Sequence, residues 1–204
     1  MKIQSAILNF RKNKFEEFHL NWLTLSFKKD MERQYQEYSY EKIVLSSRLT
    51  YAFALILFII FGIMDFLFMK EAKMLAWVIR VGVIAPIFLI MYCLTYFPIY
   101  FKVHHYVGAI TEIMAALGII AMMSVAPGET LTTYYPGLML IMVFGYTVFR
   151  QRFTIAAICG WMIVALYFLT CYFFVEGSQE IVFNNNFYLL ITNILGMAAC
   201  YMLE

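Results

Sequence analysis

Beyond Arg48 the chain alternates between long apolar runs and short polar links, and six of the runs are of bilayer-crossing length. A transmembrane helix needs about 20 mostly apolar residues at a rise of about 1.5 Å each. The pattern predicts spans near Leu49–Met69, Met74–Phe97, Tyr106–Ala126, Leu131–Phe149, Phe153–Val175 and Phe187–Leu203. The expected fold is an all-α integral membrane protein: a six-transmembrane-helix bundle over residues 48–204, preceded by an amphipathic cytoplasmic helical segment over 1–47. Links such as Lys70–Lys73 and Arg150–Arg152 hold no room for a folded loop domain, so consecutive spans should be antiparallel neighbours.

The first 47 residues have a different pattern. Phe15, Phe18, Trp22 and Leu25 recur at helical spacing among Lys12, Glu16, Glu17, Lys28 and Lys29. Such a helix can lie in the headgroup layer with these four side chains at the membrane interface and its lysines toward anionic lipid. Packing on a soluble partner or on the end of the bundle is the alternative. A second helical stretch, near Asp30–Ser47, should run into the first span.

Composition reinforces this reading, with 63% hydrophobic residues, 19% aromatics and a mean hydropathy of +0.75. Net charge is only +2, but its placement is uneven. Twelve Lys/Arg fall before the first span or in the second and fourth links, against Lys70 and Lys73 on the other side. Basic flanks stay cytoplasmic, which predicts a multi-pass membrane protein with both termini inside. Tyr51, Trp77, Tyr100 and Tyr134 near span ends suit an interfacial aromatic belt. All four cysteines lie inside the apolar runs without metal-ligand or CxxC spacing, so no metal site is expected.

Charges inside apolar runs carry the candidate chemistry. Asp65 and Arg80 lie about equally far from the first hairpin turn, which puts them at one depth, roughly 5–10 Å below the interface. A charge in lipid costs about 2.5–3.5 kcal/mol on insertion scales, so a partner at equal depth is the expected solution. The pair is either a structural lock on the hairpin or part of a switch. Glu112 is the third intramembrane charge, with His104, His105, Arg150 or Arg152 as candidate partners or else a protonated state with no charge; it is either a structural anchor or a proton- or ligand-responsive switch. His104 and His105 themselves read as solvated loop residues. Asn193 should make interhelical hydrogen bonds near Thr192 and Thr170. Small residues at Ala156-xxx-Gly160 and Gly196-xxx-Cys200 permit close helix approach, and Gly108, Ala115 and Gly118 thin the third span.

No phosphate-cradling glycine loop, nucleophile elbow or HExxH is present, so no catalytic residue is assigned, and no nucleic-acid motif accompanies the basic residues. The stretches Phe27-Lys28-Lys29-Asp30-Met31-Glu32-Arg33-Gln34-Tyr35, Phe61-Gly62-Ile63-Met64-Asp65, Ile79-Arg80, Tyr135-Pro136-Gly137-Leu138 and Phe149-Arg150-Gln151-Arg152-Phe153 together resemble a known module. It is the six-transmembrane N-terminal input and anchor module of bacterial membrane-bound class III adenylate/guanylate cyclases, and similar modules precede diguanylate cyclases and histidine kinases. The resemblance implies a homodimeric membrane anchor and receptor of the bacterial inner membrane, with Asp65 and Arg80 as module-defining positions. Its sixth span would feed a cytoplasmic catalytic domain that alone would bind metal and nucleotide; this chain itself would take no cofactor.

Where the sequence stops at Tyr201-Met202-Leu203-Glu204, flush with the bilayer, the expectation is an N-terminal part of a longer protein. The expected function is thus a sensory and anchoring domain of a signalling enzyme, most simply an adenylate cyclase. Its expected partners are the lipid bilayer, a second copy, and a lipid or small apolar ligand, with no nucleic acid. A small transporter or channel is the alternative; few mid-span Gly/Pro breaks and no repeat stand against it. A lipid-modifying membrane enzyme would need polar groups converging at one interface, whereas Asp65/Arg80 and Glu112 lie toward opposite sides.

Overall fold

Apolar runs broken by short links fold here into long helices, because a backbone without water to bond must satisfy itself within the helix. The structure is a computed structural model that describes residues 29–68, 73–125, 127–149, 151–174 and 179–203. The interfacial residues Phe15, Phe18, Trp22 and Leu25 lie outside the described residues. The chain divides into two units, Met1–Lys42 and Ile43–Glu204, and the second holds the bundle. Of the first, the backbone of 29–42 is described and is helical.

The described residues form helices and links without any strand. We label the helices α1 (Lys29–Phe68), α2 (Lys73–Leu94), α3 (Tyr100–Val125), α4 (Pro127–Thr147), α5 (Phe153–Phe174) and α6 (Gln179–Leu203). Five of them, α1 from Ile43 on, α2, α3, α5 and α6, are long and apolar enough to cross a membrane, which makes this a multi-pass membrane protein by length and composition. α4 has 21 residues but is not among the five. Its first half carries Glu129, three threonines and two tyrosines, which lower its hydropathy.

Two clusters of buried side chains hold the bundle together. The larger joins α3, α4, α5 and α6 around Met123, Leu138, Met142, Ile163, Tyr167 and Leu189. The smaller sets Tyr51, Ala54 and Phe58 of α1 against Ile84 and Phe88 of α2 and Val107 and Ala115 of α3. α3 therefore serves both, and 61% of its apolar window is buried against 22–33% in the other four spans. The outward faces are the reverse of a soluble protein's: Ile56, Ile60, Ile90, Ile158, Phe168 and Leu195 are exposed. That is the surface expected where the surrounding solvent is hydrocarbon.

The helix ends depart from the sequence expectation in ways that matter for the site. α3 begins at Tyr100 rather than Tyr106, because Thr95 closes α2 by donating its hydroxyl to the Tyr92 carbonyl at 2.6 Å and the turn through Pro98 and Ile99 leads at once into the new helix. His104 and His105 are consequently helical and not loop residues; His104 is buried and its Nδ1 lies 2.7 Å from the Phe101 carbonyl oxygen. The expected aromatic belt also differs, since Tyr51, Tyr100 and Tyr134 are buried in the interior, where rings of that size fill the space between helices.

Candidate intramembrane ligand site

Arg80 owes its position to a local irregularity in α2. Residues Val78–Ile84 form a π-helical turn in which the Ala85 N–H donates to the Arg80 carbonyl, five residues back. Pro86 comes next, and a proline lacks its own N–H and crowds the carbonyl four residues earlier, so a widened turn relieves the conflict. The turn carries the Arg80 side chain inward. Its Nε donates to Asp65 Oδ2 at 2.5 Å, both residues being less than a tenth exposed. The guanidinium carbon stands 5.1 Å from the Phe58 ring centre and 5.6 Å from that of Tyr134. Trp77 Nε1 donates to the Gly62 carbonyl at 2.7 Å, a second tie between α1 and α2. A charge desolvated this far needs its partner and its rings, since removing either ion would leave the other uncompensated.

Beneath this pair lies a groove of about 580 Å³ between α1, α2, α3 and α4. Leu57, Phe58, Phe88, Leu140, Ile141 and Phe144 form most of its apolar wall, with Asp65, Arg80, Thr111 and Glu112 supplying polar groups. Phe61, Met64 and Pro136 on its rim are exposed, so the groove opens sideways on the apolar face of the bundle. The volume falls within the range of about 300–1,000 Å³ usual for small-molecule sites.

Glu112 sits near the middle of α3 and is 1% exposed. Its Oε2 accepts from Gln151 Nε2 at 2.8 Å, while its Oε1 and the Gln151 Oε1 have no hydrogen-bond partner among the described residues. The expected partners His104, His105 and Arg152 do not take this place, and Arg150 lies outside the described residues; the residue that does is Gln151, which sequence reasoning missed. Its signal was available, as a lone amide between two arginines and two phenylalanines in a short link. Two glycines make room for the pair. A Cβ at Gly145 of α4 would run into the Glu112 carboxyl, and one at Gly108 would come within 3.3 Å of Gln151 Cγ.

Next to Gly145, Tyr146 belongs to a second polar node. Its hydroxyl donates to Asn193 Oδ1 of α6 at 2.5 Å, and both residues are almost fully buried. Gly160 of α5 faces these two polar atoms and Gly196 of α6 faces the Tyr146 ring, each so closely that a Cβ would collide. Asn193 thus bonds between helices, but to Tyr146; Thr170 instead bonds the Leu166 carbonyl of its own helix. The small residues Ala156, Gly160, Gly196 and Cys200 are all buried in this seam. At the far end of α2, Arg48 donates to the Thr95 hydroxyl and carbonyl, both at 3.3 Å, and lies 4.0 Å over the Tyr96 ring.

Among the described residues no three His, Cys, Asp or Glu side chains group as metal ligands, and the four cysteines are free. The arrangement is an aromatic groove with an ion pair at one point of its wall and an incompletely bonded carboxyl at another. Comparison with known proteins finds no family that matches this chain and no curated protein similar to it.

Proposed function

We propose that this chain is the membrane anchor and sensory domain of a dimeric signalling enzyme, accepting an apolar ligand in the groove beside α1 and passing the result to α6. In this reading all six helices cross the bacterial inner membrane, α4 included, and both termini are cytoplasmic. The uneven placement of Lys/Arg supports that orientation. The likeness of the Phe61–Asp65 and Ile79-Arg80 stretches to cyclase input modules supports an adenylate cyclase as the output, with metal and nucleotide bound there.

One observation carries the proposal. Glu112 lines the groove and packs on Gly145, while the adjoining Tyr146 bonds Asn193 of α6. A ligand that moves the Glu112 carboxyl therefore presses on the α4 turn that holds α6. A relay needs a ligand with different affinity for two arrangements of that seam, and tightly packed small-residue contacts favour discrete arrangements over gradual ones.

The test joins the chain through Glu204 to an adenylate cyclase catalytic domain and tracks cyclic AMP in cells lacking their own cyclase. Tyr146→Phe and Asn193→Leu should shift output severalfold, whereas Ile194→Leu on the exposed face should not. Equal output from all four chains at equal membrane abundance refutes the relay. Reporter fusions at the two ends check the topology, and ends on opposite faces would refute it.

A further inference from the structure

We infer that the groove is built for a hydrophobic amine: a molecule with an aliphatic or aromatic body and a primary ammonium that meets Glu112. This ligand class deepens the receptor reading and rests on it for its biological purpose, although the chemistry stands on the site alone.

Three features of the site agree on this class. The first is the unsatisfied carboxyl. Glu112 is 1% exposed and lines the groove, yet only one of its oxygens is bonded among the described residues. Buried polar atoms are nearly always paired, and an orphan in a native interior calls for an explanation. The second is the sign of what is missing. With Glu112 ionised, its open Oε1 is an acceptor on a residue that lines the groove, so the component it lacks there is a donor. A primary ammonium offers three donors and the opposite charge. A carboxylate or a ketone offers none, and a hydroxyl offers one without the charge.

The third feature is the wall. Phe58, Phe61, Phe88, Phe144 and Phe149 line the groove along with Tyr134, and aromatic faces attract cations. The groove's other charge is already neutralised within the Asp65–Arg80 pair, so it neither competes for the ammonium nor repels it at full strength. Glu112 is left as the point at which the site discriminates.

The test uses the full chain in phosphatidylcholine nanodiscs with a dodecylamine that carries a diazirine in mid-chain. After photolysis, labelled peptides are mapped by mass spectrometry in the presence of dodecylamine, dodecanol or dodecanoate as competitor. Label should fall on the α1, α3 and α4 segments around Leu57, Thr111 and Leu140, and dodecylamine should compete at concentrations at least tenfold lower than dodecanol. Glu112→Gln should erase that preference, and Leu140→Trp, which fills the groove, should remove the label.

Label spread over Ile59, Ile90 and Ile158 and unaffected by Leu140→Trp would overturn the site. Equal competition by amine and alcohol, or stronger competition by dodecanoate, would overturn the amine. The order of the three competitors on the unaltered chain decides this even if Glu112→Gln fails to assemble. Selective labelling without any change in cyclic AMP in the cyclase fusion would remove the receptor reading and leave the site. A relay response without amine selectivity would do the opposite.

Discussion

A methyl group added at Gly160 tests how tightly the last helix is held. In Gly160→Ala the new Cβ would collide with the Tyr146 hydroxyl and with Asn193 Oδ1. Tyr146 is 2% exposed and Asn193 fully buried, so neither can swing out of the way. Overpacking of this kind costs about 1–3 kcal/mol. Separating Tyr146 from Asn193 adds the loss of an interhelical hydrogen bond, about 0.6 kcal/mol on average in membrane proteins. The expected total is about 2–4 kcal/mol, or roughly 4–16 °C in melting temperature if each kcal/mol is worth about 2–4 °C in a chain of this size. Size-exclusion chromatography of detergent-solubilised protein after heating gives the midpoint. Removing the hydroxyl as well, in Gly160→Ala/Tyr146→Phe, takes away one of the two colliding groups. The double variant should therefore lose at least about 1 kcal/mol less than the sum of the singles, by the usual coupling of contacting residues. A Gly160→Ala protein that melts with the wild type, or strict additivity, would refute the three-helix seam.

Substitutions at three other contacts test the rest of the bundle. Asp65→Ala and Arg80→Ala should each cost about 3–5 kcal/mol by stranding a buried ion, and the double variant less than either, measured by folded yield and melting in detergent. Gly145→Ala drives a Cβ into the Glu112 carboxyl and should lower stability by about 1–3 kcal/mol, with Glu112→Ala in the same chain recovering most of the loss in the same melting assay. Arg48→Ala gives up two hydrogen bonds to Thr95 and the stacking on Tyr96, a loss of about 1–2 kcal/mol by melting temperature. Arg48→Lys should restore less than half, because an ammonium cannot reproduce the guanidinium fork.

Different parts of this molecule were legible to different degrees. Long apolar runs announce their helices, and the meeting of Asp65 with Arg80 is where equal distance from one hairpin turn puts two charges. Helix starts were less legible. The turn residues that fix Tyr100 as the beginning of α3 act through a side-chain bond from Thr95, which no periodicity reports. Side-chain partners across three or more helices were least so. Gln151 reaches Glu112 from a link that looks like a basic surface turn, and nothing in the pattern around Tyr146 marks it until Gly160 and Gly196 are seen to clear space around it. Glycine in a membrane helix signals close approach without naming what approaches. The composition of α4 also misleads, since its polar first half lowers hydropathy although Leu138 and Met142 in its second half are completely buried.

The widened turn in α2 holds one residue of slack. Should the Ala85 amide exchange its bond to the Arg80 carbonyl for the ordinary one to Val81, the segment before Arg80 would swivel against Ala85–Leu94 by about one residue's rotation, near 100°, and Trp77 would come off the Gly62 carbonyl. Arg80 would then leave Asp65, and the hinge and the ion pair would open as one latch.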